Sequence, residues 1–244
     1  MPVKKRIKLA IITAVWKRPE IFEMFAQGIH ALAPTFERLN IDYQVFVAGS
    51  EGKDSKEMVL KHGFHYSEAP NQPLAAKVNA PLHWAKHWGA DYVLCVGSDD
   101  ILSPELIEIY ISAMRRRADF IGVTDFYFYD TVTKKAAYWG GYREPFRRGV
   151  TCGAGRVISK RLLDLWQWKI WETRHNSVLD NSIDEKLRAI EHRSCVFAMK
   201  DYGVMAVDVK SSTNMTPFKL WDNTQYVEAK TLTQKFKMLC AESA

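Results

Sequence analysis

The feature that most constrains this chain is an apolar run ending in paired carboxylates: Tyr92 to Val96 (YVLCV) leads directly into Gly97-Ser98-Asp99-Asp100. A short, continuously apolar segment closed by turn residues reads as a strand covered on both faces, as in the middle of a parallel sheet. Two similar runs precede it, Lys8 to Val15 (KLAIITAV) and Tyr43 to Ala48 (YQVFVA), the second closing in Gly49-Ser50-Glu51-Gly52. Between them the apolar period becomes helical. Ile21, Phe22, Phe25, Ile29 and Leu32 follow Pro19, whose missing N–H suits a first helical turn. Leu74 to Trp88 reads as helix, kinked or restarted at Pro81. Ser103-Pro104-Glu105 supplies a cap, a first-turn proline and an acid matched to the helix dipole. Phe120 to Phe128 reads as one further strand. This alternation predicts an α/β fold, a mainly parallel twisted sheet flanked by helices. Ligands of such sheets bind beyond the carboxyl ends of the strands, where Trp16-Lys17-Arg18, Gly49-Ser50-Glu51 and Ser98-Asp99-Asp100 fall.

The second half is less regular. Tyr138 to Arg148 is rich in aromatic residues and arginine, and Gly153-Ala154-Gly155 reads as a joint. Ser159 to Trp168 and Ser182 to Glu191 read as helices, Cys195 to Met199 and Val204 to Asp208 as strands. With no repeat and no low-complexity linker, the expectation is one domain over residues 1–244, with residues 1–130 and 131–244 as its two halves.

Charge and cysteine usage narrow the class. Lys and Arg number 34 against 28 Asp and Glu, a formal net charge of +6 that favours anionic partners. No stretch reaches the ~20 apolar residues of a membrane helix. The basic segment Met1 to Lys8 precedes too short an apolar run for a signal peptide. Cys95, Cys152, Cys195 and Cys240 stand far apart with no CxxC pair, which fits a reducing compartment. A cytoplasmic protein is expected, in the host cytoplasm if the gene belongs to a phage.

Adjacent carboxylates at the mouth of a buried strand suit a hard divalent cation, which is usually held by one or two carboxylates and a substrate's phosphates. Asp99 and Asp100 stand there, although aspartates also serve simply to start a turn. Rival chemistries lack their residues. There is no GxxxxGK[ST] and no GxGxxG, Gly49-Ser50-Glu51-Gly52 lacks the first glycine of a GxSxG elbow, and His83 and His87 lack the glutamate of a zinc protease.

Taken in order, Thr13-Ala14-Val15-Trp16-Lys17-Arg18-Pro19, Gly49-Ser50, Lys77-Val78-Asn79, Ser98-Asp99-Asp100 and Gly153-Ala154-Gly155-Arg156 resemble a family-2-like glycosyltransferase of GT-A fold, over roughly Ile7 to Leu187. The resemblance implies a nucleotide-sugar donor, usually UDP-linked, and a Mn²⁺ or Mg²⁺ ion. It implies that Thr13, Ala14, Val15 and Arg18 line the nucleoside pocket and that Glu51 lies near the base or ribose. Lys77 and Asn79 would approach the nucleotide, with Ser98 and Asp99 beside it. Asp99 matches the last aspartate of the family's D-x-D metal motif. Gly97 stands in place of the first, and Asp100 is the available substitute as a second metal ligand. The base that activates the acceptor is expected at Asp180, with Asp184 second, since transfer needs a carboxylate in reach of the acceptor hydroxyl. Lys210 is expected at the diphosphate; a solvated lysine is the alternative.

For the acceptor, Tyr142, Arg143, Arg147 and Arg156, with Trp139, form a basic and aromatic set that could hold phosphates and stack rings. The plainer reading is a solvated arginine face above packed aromatics. A saccharide or glycolipid, or a hydroxylated base in DNA as in phage genome modification, are the acceptor classes. Outside glycosyl transfer, a sugar-nucleotidyltransferase or a basic nucleic-acid-binding module remain the alternatives.

Overall fold

The computed structural model describes residues 6–153, 155–172, 179–212, 214, 218 and 223–240, with Asp180 and Asn181 as backbone. Strand β1 (Ile7–Ala14) is followed by α1 (Pro19–Arg38), β2 (Ile41–Gly49), α2 (Lys53–Leu60), β3 (His65–Glu68), α3 (Leu74–Asn79), α4 (Leu82–Trp88) and β4 (Tyr92–Cys95). Then come β5 (Asp100–Leu102), α5 (Pro104–Arg115), β6 (Phe120–Val123), β7 (Phe126–Asp130), β8 (Ala136–Trp139) and β9 (Arg156–Ser159). The remaining elements are α6 (Lys160–Leu165), α7 (Leu179–Arg188), β10 (Ser194–Phe197), β11 (Ala206–Lys210), β12 (Thr224–Val227) and α8 (Ala229–Lys235).

The strands form two sheets. A seven-stranded sheet runs β10-β6-β9-β4-β1-β2-β3, and a five-stranded sheet runs β12-β8-β7-β11-β5. In the larger sheet β1 pairs in parallel with β2 and β4, β2 with β3 and β6 with β10, while β9 lies antiparallel to β4 and β6. The alternating faces of β1 show why it sits centrally. Leu9 and Ile11 pack with Phe22, Phe25 and Ile29 of α1 and with α5, whereas Ala10 and Ile12 pack with Ala75, Leu82 and Leu162 from the helices on the opposite face. Burying both faces against helices removes most of the strand's apolar area from water. The smaller sheet has a third apolar cluster, in which Val207 and Val209 meet Leu232 and Phe236 around α8.

The α1 and α5 starts follow the sequence signals. Pro19 opens α1, and Ser103 Oγ accepts from Leu106 N at 3.3 Å at the start of α5. The expected helix over 74–88 is two helices broken at Ala80-Pro81, where the proline cannot donate.

The single strand expected over 120–128 is a correction. It is two strands, β6 in the larger sheet and β7 in the smaller. The break falls at Thr124-Asp125. The fully buried Asp125 carboxylate accepts from Met199 N at 2.5 Å, Lys200 N at 3.0 Å and Tyr138 Oη at 2.9 Å. An anion satisfied by backbone donors from another segment turns the chain out of one sheet into the next. The short helix α6 also ends before the expected Trp168, because Gln167 and Trp168 take left-handed φ of 52° and 58°.

Candidate functional site

The chain leaves the larger sheet at the end of β4 and enters the smaller one at β5, so Gly97-Ser98-Asp99 bridges the two. The antiparallel register of β5 and β11 sets Asp208 opposite Asp100, and Val209 N donates to the Asp99 carbonyl at 2.7 Å. An adjacent pair of carboxylates and a third more than a hundred residues away therefore converge. Asp99, Asp100 and Asp208 offer oxygens all within 4.8 Å of one another.

Two cations stand on this cluster. Arg18 closes the loop after β1; its Nη1 donates to Asp99 Oδ2 at 2.6 Å and its Nη2 to Ser98 Oγ at 2.8 Å. Lys210 Nζ donates to Asp208 Oδ2 at 2.5 Å and lies 5.3 Å from the centre of the Phe128 ring. Asn214 Nδ2 adds a 2.8 Å hydrogen bond to Asp99 Oδ2. Asp100 is buried and accepts from Gly97 N at 2.6 Å. Burial, and then the charges of Asp99 and Asp208, push the Asp100 carboxyl well above the usual carboxylate range. Burial, and then Asp99, push Asp208 up to about 7.

Crowded carboxylates of this kind ask for a cation. Asp208 Oδ1 is buried with no hydrogen-bond partner, an unspent acceptor beside the other two acids. Oxygen donors at this spacing fit Mg²⁺ or Mn²⁺. Gly97, where the family motif has its first aspartate, has no room for a side chain as the acids now lie. A Cβ there would come within 2.5 Å of Asp100 Oδ2 and 2.7 Å of Asp99 Oδ1. Asp100 and Asp208, and no side chain at 97, are the carboxylates that stand beside Asp99.

A cavity of about 190 Å³ opens beside Arg18 and Asp99 at the carboxyl ends of β1 and β4. Thr13, Ala14, Ser98, Arg156, Trp171 and Leu179 line it as well. Thr13 Oγ1 and Trp171 Nε1 are buried polar atoms without partners. Arg156, assigned from sequence to the acceptor, stands in this wall, opposite Cys95 in the β4–β9 register, with its Nε donating to Thr151 Oγ1 at 2.9 Å.

The other expected residues fall around the cavity rather than in it. Lys77 is buried, and its Nζ donates to the Val15 carbonyl at 2.7 Å, Ser50 Oγ at 2.8 Å and Asn71 Oδ1 at 2.9 Å. It ties the loop after β1 to the end of β2, and burial lowers its ammonium to about 8. Asn79 grips the segment that carries Trp171 into the wall: its Oδ1 accepts from Ile170 N at 3.1 Å and Trp171 N at 3.3 Å, and its Nδ2 donates to the Trp171 carbonyl at 2.7 Å. Glu51 Oε2 accepts from Lys17 N at 2.8 Å. Both Lys77 and Asn79 thus shape the walls.

Asp184 pairs with Arg188 at 2.7 Å on α7. Asp180 lies in the first turn of α7, next to Leu179 in the cavity wall, and its side chain lies outside the described residues. Tyr142 stacks between Arg147, 3.5 Å from its ring centre, and Trp139, edge-on at 4.8 Å. Arg143 donates to Asn223 Oδ1 at 2.8 Å and lines a separate cavity of about 430 Å³ with Lys200. The expected acceptor set is therefore spread over three places. Asp208 was not expected at the site, and Trp171, which with Trp166 and Trp168 reads from sequence either as core or as a platform for a sugar ring, lines the cavity. Asp208-Val209-Lys210 at the end of an apolar strand was the available signal for Asp208.

The fold that carries this site is GT-A-like, mixed α/β with sheets flanked by helices. Among solved structures the chain is similar to the glycosyltransferase S. aureus TarS. Residues 1–349 of TarS in complex with UDP-GlcNAc align at a TM-score of 0.57 and 15% identity, covering 85% of this chain and 60% of that one. The same TarS fragment in another crystal structure gives 0.54 and 15%, covering 80% and 62%. A longer TarS structure gives 0.57 and 15%, covering 83% and 37%. This chain spans less than two thirds of the TarS chains it matches, and the likeness is one of fold. No family model matches the chain, and no curated protein matches it in sequence. No helix among the described residues is long and apolar enough to cross a membrane.

Proposed function

We propose that this chain is a glycosyltransferase that moves a sugar from a UDP-linked donor to an acceptor hydroxyl. The observation that carries the reading is the cavity at the carboxyl ends of β1 and β4, with Arg18 and Asp99 in its wall and the Asp100 and Asp208 carboxylates clustered with Asp99. A sheet of this type binds its ligand at that edge. The GT-A-like fold and the TarS complex with UDP-GlcNAc support a nucleotide-sugar donor.

Thr13 and Ala14 form the wall against which the nucleoside lies, and Thr13 Oγ1 and Trp171 Nε1 are polar atoms still without partners there. Arg18 holds the diphosphate, since a planar guanidinium pairs with phosphate oxygens in two-pronged fashion. Asp99, Asp100 and Asp208 would hold Mg²⁺ or Mn²⁺, which when bound neutralises charge growing on the departing diphosphate. A carboxylate on the first turns of α7, Asp180 or Asp184, takes the proton from the acceptor hydroxyl. Asp184 is engaged with Arg188, which favours Asp180. The acceptor hydroxyl belongs to a saccharide or to a hydroxylated base in DNA, and steep salt dependence of acceptor binding would mark the DNA case.

The test is a thermal-shift screen of UDP, GDP, CDP and TDP sugars with and without Mn²⁺. A ligand that binds only the folded chain raises its melting temperature by mass action. Stabilisation by UDP-sugars, deepened by Mn²⁺, is the expected result; no shift with any nucleotide sugar overturns the reading.

A further inference from the structure

We propose that Arg18 is an exchangeable counter-ion: it holds Asp99 while no donor is present, cedes Asp99 to a divalent cation, and turns to the donor's diphosphate. This rests on the transferase reading for the identity of the anion, though not for the competition at Asp99.

The geometry sets the two occupants in competition. Arg18 Nη1 and Asn214 Nδ2 both bind the same carboxylate oxygen, Asp99 Oδ2, at 2.6 and 2.8 Å. A metal ion drawn to that oxygen meets a like-charged guanidinium in contact with it, so each weakens the other's hold on Asp99. Three carboxylates stand here against two cations, Arg18 and Lys210. Only one of those cations is placed to leave. The Lys210 side chain is 7% exposed, pinned between Asp208 and the Phe128 ring. Arg18 reaches the cluster from the cavity wall, where its side chain is 16% exposed and that of Asp99 19%.

The backbone at Arg18 is meanwhile fixed. Its carbonyl accepts from Phe22 N at 2.8 Å as the 20-residue helix α1 begins, so the exchange is a swing of the side chain alone. Donor and cation then assist each other: the cation frees the guanidinium for the diphosphate, and the diphosphate draws the guanidinium off the carboxylate. By linkage each raises the affinity for the other.

The experiment titrates the intact protein with MnCl₂ alone, and with inorganic pyrophosphate, by calorimetry and by the electron-spin signal of free Mn²⁺. Arg18→Gln is expected to bind Mn²⁺ alone about tenfold more tightly than the unaltered chain, a coupling of ordinary size for competing sites. It should bind pyrophosphate more weakly and show less mutual enhancement. Lys17→Gln removes a neighbouring positive charge that does not touch Asp99, and controls for the general field; a change of less than about threefold is expected. Ser98→Ala removes the second anchor of Arg18 and should strengthen Mn²⁺ binding by a smaller factor, which keeps the test open if Arg18→Gln folds poorly.

Unchanged or weaker Mn²⁺ binding in Arg18→Gln and Ser98→Ala, or an equal gain in Lys17→Gln, overturns the exchange. An unaltered chain that shows mutual enhancement of Mn²⁺ and pyrophosphate but binds no nucleotide sugar keeps the exchange and removes the transferase reading.

Discussion

Asp208 on β11 stands opposite Asp100 on β5, a pairing of two acids across an antiparallel ladder that ordinary sheet energetics disfavours. Burial adds to the repulsion, and both carboxyls are pushed upward, Asp208 to about 7. Such an arrangement costs stability.

Relieving that repulsion should stabilise the fold. Asp100 has a folded value above its unfolded one, so the folded chain binds the extra proton and its stability falls as pH rises out of the ordinary carboxylate range. Asp100→Asn keeps an acceptor for Gly97 N and removes the charge. We expect melting to rise by about 2–4 °C at pH 8, the shift that ~1 kcal/mol produces in a chain of this size, and by little at pH 4. Mn²⁺ affinity should drop at least about tenfold, as a hard cation loses a charged ligand. Calorimetry at the two pH values checks both halves, and equal gains at pH 4 and pH 8 would contradict the first.

Placing an aspartate at position 97 should fail to strengthen the cluster. The Cβ of any residue at 97 would lie 2.5 Å from Asp100 Oδ2, so Gly97→Asp must push the two existing acids aside. A loss of about 1–3 kcal/mol in stability is expected from the crowding, together with weaker Mn²⁺ binding. Urea melts and a Mn²⁺ titration of Gly97→Ala and Gly97→Asp measure this; tighter metal binding by the aspartate variant would show that the site opens freely.

Lys77→Met should weaken donor binding without removing a donor contact. It leaves the Val15 carbonyl, Ser50 Oγ and Asn71 Oδ1 without the buried ammonium that joins them. The buried Val15 carbonyl loses its ammonium donor, while Ser50 Oγ and Asn71 Oδ1 keep their mutual 3.3 Å hydrogen bond, and we expect about 2–3 kcal/mol lost in all. With the loop after β1 released, KM for the donor should rise more than kcat falls. A pure loss of kcat at unchanged stability would instead mark Lys77 as touching the substrate.

Asp119 sets a low-pH limit. Its carboxylate accepts from Arg161 Nε at 2.9 Å and Nη2 at 2.8 Å, from Arg193 N at 3.0 Å and from Ser159 Oγ at 3.1 Å. Arg161, before the other donors, holds it down at about 2. The folded value lies below the unfolded one, so this contribution is complete above about pH 4 and is lost as pH falls through 2. Asp119→Ala should cost on the order of 2 kcal/mol at pH 7 and far less near pH 2. Melts across that range test it, and a cost independent of pH would assign the loss to packing.

The strands β1, β2 and β4 and the helices α1 and α5 were legible because their signals are local, whereas α2, β3 and β5 were not expected. KLAIITAV and YVLCV are apolar without alternation, Pro19 and Ser103-Pro104 punctuate the helices, and the strand ends pointed to Arg18, Ser98 and Asp99. Elsewhere a long-range contact overrode the local pattern. Phe120 to Phe128 is uniformly apolar apart from Thr124-Asp125, and nothing local says that Asp125 will be claimed by Met199 N, Lys200 N and Tyr138. Lys77 and Asn79 were legible as important polar residues, but not as residues that hold backbone in place.

By itself the sequence determined the alternation of elements, the edge of the sheet where a ligand would lie, and the identity of one acid and one arginine there. The tertiary structure alone decided that Asp208, more than a hundred residues from Asp100, completes the cluster, and that Arg18 already occupies Asp99. The reason is physical. Local propensity and apolar period depend on neighbours a few residues away, whereas strand register and the meeting of charged side chains depend on how distant segments pack, which no short window of sequence contains.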